Sequence, residues 1–173
     1  MDATKERVND LLIREFGEVR HPGWSAVFGE HAGWTGIFAI NMNDWELEEV
    51  MKEVDPGKDW RHVSPITLRG TDGRLLCIPP AGFPFFFAAH LWQAVNAPVD
   101  LDAGLYMLEN WLKRGVSSAY SPNHWRVQRE ILTEGQVSAI REVIRYLIDA
   151  DIFWESSTRD FPLWFPEEAD SAT

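Results

Sequence analysis

The sequence predicts a mainly α-helical fold: a single-domain, helical bundle-like structure with one small β-hairpin. Apolar residues recur at intervals of three and four positions in several segments, which is the spacing of one helix face. Hydrophobic residues fill 45% of the 173 positions, enough for one core without disulfides or a structural metal. We therefore expect residues 1–166 to form one globular domain and residues 167–173 to form a disordered acidic tail.

Two helices are predicted in the N-terminal part of the chain. Apolar residues on one face predict a first helix over residues 4–16, and Gly17 is its expected end. A second helix is predicted to begin at Asn43 or Asp44, since either side chain is a good N-cap and a glutamate stands at the capping-box position. The Asp-Pro-Gly sequence at 55–57 should end that helix.

The middle of the chain combines a predicted hairpin with a predicted buried helix. A short turn at 60–63 precedes two apolar stretches, 66–68 and 75–78, which flank Gly-Thr-Asp-Gly and are typical of a β-hairpin. Apolar residues then cover nearly every position over 80–95 and predict a helix that is buried on most sides. Pro84 must lie in the first turn of that helix, where its missing N–H breaks no hydrogen bond.

Two further helices are predicted in the C-terminal half. One begins at Asp100 or Asp102, carries a stripe of leucines and a tryptophan, and ends at Gly115. Residues 117–124 are polar and are expected to form a loop. The closing helix begins after Thr133, whose hydroxyl is a good N-cap, with a glutamine at the capping-box position. Its apolar residues keep a regular helical spacing.

The charge of the chain restricts its partners. Asp and Glu total 27 against 16 Lys and Arg, a formal net charge of −11. Binding to nucleic acid or to an anionic membrane surface needs a basic face, so neither partner is expected. A basic protein partner is compatible with this charge. The longest apolar run, residues 83–91, is too short to span a membrane, and a single cysteine fits a reducing cytoplasm.

The sequence predicts no catalytic residue, no metal site and no cofactor. The histidines lack the i, i+4 spacing of a helical zinc site, and no Cys-x-x-Cys occurs. His90 lies on the apolar helix and is interpreted as a hydrogen-bonded core residue. Cys77 lies between leucine and isoleucine and is interpreted as a buried thiol. Residues 70–73 contain an acid and no following lysine, so they form a turn and not a phosphate cradle.

Two sets of residues are candidates for partner binding. Carboxylates at helical spacing on the second predicted helix form an acidic stripe: Glu46, Glu49 and Glu53. Large rings alternate with glycines in an expected ordered loop over residues 21–40, and these rings are Trp24, Phe28, Trp34 and Phe38. The stripe can equally be a solvated helix face. The loop can equally be folded onto its own domain by the same rings.

Three segments carry a resemblance to an uncharacterised family of small bacterial domains. Residues 80–91, Pro-Ala-Gly-Phe-Pro-Phe-Phe-Phe-Ala-Ala-His-Leu, are similar to that family's aromatic helix. Residues 132–136 are similar to the start of its closing helix, and residues 16–20 before a Pro-Gly pair fit its first helix. The chain departs from the pattern at Pro84, where a polar residue is usual, and at His90, where tyrosine is common. The resemblance implies a shared fold and a bacterial source, and no activity.

Three functions fit this sequence. The first is a non-catalytic protein-binding module, such as an immunity or antitoxin-like protein that binds a basic partner, because the chain is small, acidic and without catalytic motifs. The second is a structural or interaction subunit that forms a homodimer through the aromatic loop, whereas the first function allows a monomer. The third is a small enzyme whose site is assembled from scattered residues.

Overall fold

The fold of the described residues is mainly helical, as the sequence predicts. The computed structural model describes residues 3–23, 52, 57–65, 68, 80–98, 105, 108, 111 and 122–153, and of 122–125 the backbone alone. Helix makes up 72% of this part. Its elements are helix α1 (Ala3–Phe16), a 3₁₀ turn (Trp60–His62) and helices α2 (Phe83–Asn96), α3 (Pro122–Glu130) and α4 (Glu134–Asp149). Within these ranges, no helix has both the length and the apolarity that a membrane crossing requires.

Helix α1 presents one apolar stripe to the rest of the molecule. Val8, Leu12 and Phe16 are fully buried on that stripe, as their spacing predicts. The helix packs along α4 and against α2. It ends before Gly17, as predicted, and a Cβ there would clash with the carbonyl oxygen of Ile13.

Helix α2 is buried on nearly all of its surface. Gly82 is its N-cap and Pro84 lies in its first turn, which confirms the predicted place of that proline. The helix begins at Phe83, three residues later than predicted, because residues 80–82 form a turn in which the Phe83 N–H donates to the Pro80 carbonyl. The fully buried residues include Phe83, Phe85, Phe86, Phe87, Ala88, Ala89, His90 and Leu91.

An aromatic stack covers one side of α2. The rings of Phe83 and Phe87 are stacked with centroids 4.8 Å apart, and the Trp111 ring lies 5.5 Å from the first and 4.5 Å from the second. Leu105, Leu108 and Trp111 are buried and helical, as the predicted leucine stripe requires. The Trp111 indole N–H donates to Oε1 of the fully buried Gln128 on α3 at 2.9 Å, so the stack is tied to that helix.

The start of helix α4 is a complete capping box, as predicted. The Gln136 N–H donates to the Thr133 hydroxyl, and the Thr133 N–H donates to Oε1 of Gln136, both at 3.1 Å. The same glutamine amide also donates to the Glu15 carbonyl near the end of α1, at 3.3 Å. The Glu15 carboxylate lies against Gly135, so a Cβ at this position would require that side chain to move. One cap therefore fixes the start of α4 on the end of α1.

The end of α4 turns back through an aspartate in the left-handed region. Asp151 has a φ of 56°, where glycine is the usual residue. Its N–H donates to the Ile148 carbonyl at 3.0 Å, and the Ile152 N–H donates to the Leu147 carbonyl at 2.9 Å. This is the Schellman pattern, and it returns Phe153 to the core at 5% exposure.

The structure corrects two further expectations. Leu68 was expected in the first strand of the hairpin, but it is helical and its N–H donates to the Ser64 carbonyl at 3.1 Å, four residues earlier. Because it is fully buried, its apolar character reflects core packing and not strand pairing. His124 was expected in a polar loop, but helix α3 begins at Pro122, whose fixed φ suits a first helical position.

Several predicted features lie outside the described residues. They include the hairpin apart from Leu68, the loop from Trp24 to Ile40, Cys77 and the disordered tail at 167–173. Of the second predicted helix, Lys52 alone is described, and its backbone is helical.

The central position of Phe86 gives the first prediction. Its ring is fully buried and meets the Phe85 ring edge-on at 5.2 Å. Phe86→Ala should lower the free energy of unfolding by about 3–5 kcal/mol, because it leaves a cavity that the surrounding helices cannot fill. The measurement is urea denaturation at pH 7, with Ile13→Ala on the exposed side of α1 as the control. A loss below about 1 kcal/mol for Phe86→Ala would contradict the core assignment.

The left-handed residue after α4 gives a second prediction. Asp151→Gly should raise the free energy of unfolding by about 1 kcal/mol, because glycine adopts this conformation without steric cost. Asp151→Ala should lower it, since alanine has neither that freedom nor the local hydrogen bonding of aspartate. Thermal denaturation of both variants at one pH compares them directly. Equal stability of the two variants would show that the φ of 56° is not adopted in solution.

Candidate functional site

None of the residues predicted to bind a partner has a described geometry. Glu46, Glu49, Glu53, Trp24, Phe28, Trp34 and Phe38 all lie outside the described residues. The acidic stripe and the aromatic loop therefore remain predictions. The polar groups that the structure does bring together lie elsewhere, at the end of α1.

These groups form what we call the His21 junction, made of residues 20–23 and 57–62. Arg20 and Asp59 form an isolated antiparallel bridge. Around it, the His21 N–H donates to the Lys58 carbonyl at 3.5 Å, and the His21 carbonyl accepts from the Gly57 N–H at 3.1 Å. Gly57 has a φ of 83°, a conformation that glycine adopts readily. The junction thus joins two segments that are distant in sequence.

Trp60 anchors the junction to α1 and α2. Its ring is 1% exposed, and its indole N–H donates to the Phe16 carbonyl, in the last turn of α1, at 2.7 Å. The same ring meets Trp92 of α2 edge-on, with centroids 5.7 Å apart. The Gln93 amide of α2 donates to the Val63 carbonyl at 3.1 Å. The 3₁₀ turn is therefore held by a helix end on one side and by α2 on the other.

An ion pair lies at the start of the 3₁₀ turn. Asp59 is its N-cap and accepts from the Arg61 N–H at 2.9 Å. The Arg61 guanidinium donates to both oxygens of the same carboxylate and lies over the Trp60 ring, 5.8 Å from its centroid. The hydrogen bond from Arg61 lowers the pKa of Asp59 to about 2, and the charge of Arg20 acts in the same direction. The carboxylate is therefore ionised across the physiological range.

The His21 side chain packs from the junction onto helix α2 and is buried there. The residue is 2% exposed. Its ring meets the rings of Phe85 and Phe86 edge-on, with centroids 5.1 and 5.8 Å apart. Nδ1 accepts a hydrogen bond from the Gly23 N–H at 3.2 Å. Burial lowers the pKa of the imidazole from 6.5 to about 4. At pH 7 the ring is neutral, and the accepting role of Nδ1 places its proton on Nε2.

His90 is a core residue, as its place on the apolar helix predicts. It is fully buried, and its Nδ1 lies 2.8 Å from the Phe86 carbonyl, one turn earlier on α2. Since a carbonyl only accepts, Nδ1 carries a proton and donates it. This bond uses the imidazole as a local partner for the helix backbone.

The geometry of the two buried histidines favours structural roles. A general base must come within hydrogen-bond reach of a substrate, and both residues are 2% exposed or less. Their described hydrogen bonds run to backbone groups. Among the described residues, no group of three or more histidine, cysteine or acidic side chains is placed to hold a metal ion. In the described part of the chain, these two histidines therefore contribute to packing between elements.

Sequence reasoning did not find the His21 junction. Its contacts join residues far apart in the chain, as in the bond between Trp60 and Phe16 across 44 positions. The local part carries a signal, because Asp59 and Arg61 follow a Pro-Gly turn at a spacing that suits an N-cap and its ion pair. No local pattern reveals the partner of His21 on α2.

Comparison of the chain with family models, with curated proteins and with solved structures finds no match in any of the three. The bacterial family that the aromatic helix resembles therefore stays a prediction from the sequence.

The cap and ion pair at Asp59 give a third prediction. Asp59→Ala should lower the free energy of unfolding at pH 7 by about 1–2 kcal/mol, because it removes the N-cap and leaves Arg61 without its partner. Asp59→Asn should lower the free energy of unfolding by a smaller amount, since an asparagine side chain can still cap the 3₁₀ turn. Because the pKa of Asp59 is lowered, its ionised form stabilises the fold above pH 3.8, and this contribution is lost as the pH falls through about 2.

The control for this prediction is Asp149→Ala, which removes an exposed carboxylate at the end of α4. An acid at a helix C-terminus meets the negative end of the helix dipole, so this variant should lose no stability. Urea denaturation of all three variants at pH 7 is the measurement. Equal effects at Asp59 and Asp149 would show that the cap and its ion pair contribute nothing.

Proposed function

We propose that this chain is a non-catalytic protein-binding module whose acidic surface binds a basic protein partner, in the manner of an immunity or antitoxin-like protein. The observation that carries the proposal is the formal net charge of −11, with 27 acidic residues in a chain of 173. A charge of this size steers a cationic partner and raises the rate of association. The compartment that fits a single cysteine and such a role is a bacterial cytoplasm.

The described surface carries part of this charge. Its exposed carboxylates lie on and after α1, at the end of α3, within α4 and beyond the end of α4: Glu6, Asp10, Glu18, Glu130, Glu134, Asp149 and Asp151. Two exposed arginines of α1 already have acidic partners, since Arg7 lies 3.0 Å from Glu142 and Arg14 lies 2.8 Å from Glu15. Each such pair neutralises one base and one acid, as Arg126 also does with Glu130 at 3.8 Å, so the acidic residues that outnumber the basic ones, 27 against 16, give the surface its charge.

The two buried histidines support a role without catalysis. His21 and His90 are buried in contact with phenyl rings and backbone groups, which is where a folded core places an imidazole that it uses for packing. Binding needs no such group, because affinity comes from the surface that meets the partner.

Within this proposal, the acidic stripe is the contact that sets the rate of association, and the aromatic loop supplies buried anchor rings. Carboxylates at Glu46, Glu49 and Glu53 fall on one face of the second predicted helix, and one basic residue, Lys52, stands among them. Charges at the rim of an interface act mainly on association, whereas tryptophans at its centre act mainly on dissociation.

The acidic stripe gives a fourth prediction. The combined variant Glu46→Gln, Glu49→Gln and Glu53→Gln should bind a basic partner more slowly, because three carboxylates that attract it are gone. Its association rate should also depend less on salt, while the melting temperature stays nearly unchanged. Stopped-flow association over a range of salt concentrations measures both quantities, with a partner identified by affinity capture from the source cell.

A matched control separates the place of the charge from its amount. The combined variant Glu6→Gln, Asp10→Asn and Glu18→Gln also removes three carboxylates, so it changes the net charge of the chain by the same amount. These three carboxylates are exposed and lie on α1 and just after its end. It should slow association less than the stripe variant. Equal slowing by both variants would assign the effect to overall charge, and no slowing by either would contradict the electrostatic proposal.

A further inference from the structure

We propose that His21 is an acid-sensitive latch, which holds residues 20–23 on helix α2 while its imidazole is neutral and releases them when the imidazole is protonated. The imidazole ring of His21 makes three contacts that hold it in place. Nδ1 accepts from the Gly23 N–H, and the ring edges meet Phe85 and Phe86 of α2. The residue is 2% exposed, so water does not solvate the ring in place.

Protonation breaks this arrangement for two reasons. An imidazolium has a proton on both nitrogens, so Nδ1 becomes a donor that faces another donor, the Gly23 N–H. The new positive charge also lies in a buried site beside phenyl rings, where it loses its hydration. Both effects are removed when residues 20–23 move away from α2 and the ring reaches water.

The charged groups near His21 that belong to the described residues do not relieve this cost. Arg20 precedes it, and Lys58, Asp59 and Arg61 stand on the paired segment. Of these, Asp59 alone is negative, and its carboxylate is engaged by Arg61. From α2 the facing groups are phenyl rings, with His90 one turn beyond Phe86. Because Asp59 keeps its charge down to about pH 2, it does not titrate together with the latch.

The direction and size of the effect follow from proton linkage. Burial lowers the pKa of His21 from 6.5 to about 4, so the closed junction binds fewer protons than the open one between these values. The closed form is fully favoured above pH 6.5, and the advantage is lost as the pH falls toward 4. Between pH 7 and pH 5 the ratio of closed to open junction should fall roughly 20-fold.

The experiment is amide hydrogen exchange by NMR at pH 7 and pH 5, corrected for the intrinsic dependence of exchange on pH. The reporters are the amides of His21, Gly23 and Gly57, which all donate hydrogen bonds in the junction. In the wild-type chain their protection should fall roughly 20-fold, while the amides of α2 and α4 stay protected. Unchanged protection in the junction, or an equal loss throughout α2 and α4, would overturn the latch.

Two variants assign the effect to His21. His21→Asn keeps an acceptor near the position of Nδ1 but does not titrate, so its junction should show no such fall. His62→Asn removes an exposed imidazole from the same junction and should behave as the wild type does. A pH response that survives His21→Asn would overturn the proposal.

A measurement on the unaltered chain keeps the proposal testable if His21→Asn does not fold. The ring protons of the histidines can be titrated by NMR while the Gly23 amide shift is followed. One ring should titrate well below pH 6.5, and the Gly23 amide should move with the same midpoint because it donates to that ring. A Gly23 amide that does not follow any histidine would show that Nδ1 is not its acceptor.

Discussion

Burial of helix α2 on nearly every side is the constraint on which the rest of the structure depends. A helix with aromatic and aliphatic residues all round cannot face water, so other elements have to cover each of its faces. Helices α1 and α4 and the 3₁₀ turn pack against it, and Trp111 closes the side of Phe83 and Phe87. The apolar stripes of α1 and α4 are narrower because each of these helices covers one face and leaves the other in water.

This burial also decides how the polar groups of α2 are used. Asn96 exchanges two amide hydrogen bonds with Asn9 of α1, at 3.0 and 3.1 Å, and also donates to the Trp92 carbonyl. Gln93 donates to the Val63 carbonyl beyond the 3₁₀ turn. A buried or half-buried amide without a partner would be costly, so these bonds fix the position of each neighbour along the helix.

The His21 junction follows from the same packing. Phe85 and Phe86 form the surface on which residues 20–23 lie, and that surface lowers the pKa of the imidazole by removing water from it. The ion pair of Asp59 and Arg61 lies at its outer side and keeps its charge over the range in which His21 titrates. One buried helix therefore produces both the stability of the fold and its expected sensitivity to acid.

The sequence predicted the parts of this structure that depend on local patterns. Spacing alone gave α1, and the Thr133–Gln136 pair gave the start of α4, because a capping box needs residues only three positions apart. Pro84 located the first turn of α2. Helix α3 was missed because its sequence has little apolar periodicity. Among residues 126–130, whose side chains are described, the buried residue is a glutamine, Gln128, held by a tryptophan 17 positions away.

The candidate sites also divide into those that a local sequence pattern reveals and those that depend on tertiary contacts. The acidic stripe and the aromatic loop are patterns that a sequence displays, whereas the His21 junction depends on tertiary contacts that no local pattern encodes. His90 was correctly interpreted as a core residue, since a lone polar residue on an apolar helix has to be buried with a partner. His21 stands in a glycine- and proline-containing stretch, where periodicity says nothing about burial.

The central claim is that α2 is the innermost element of the fold, and native-state hydrogen exchange across a urea series tests it most directly. The amides from Phe87 to Val95 should exchange only through global unfolding. Their opening free energy should then equal the free energy of unfolding from urea denaturation, and amides near the ends of α1 and α4 should open at lower cost. Exchange of the α2 amides at a lower opening free energy than the middle of α1 and α4 would contradict this central place.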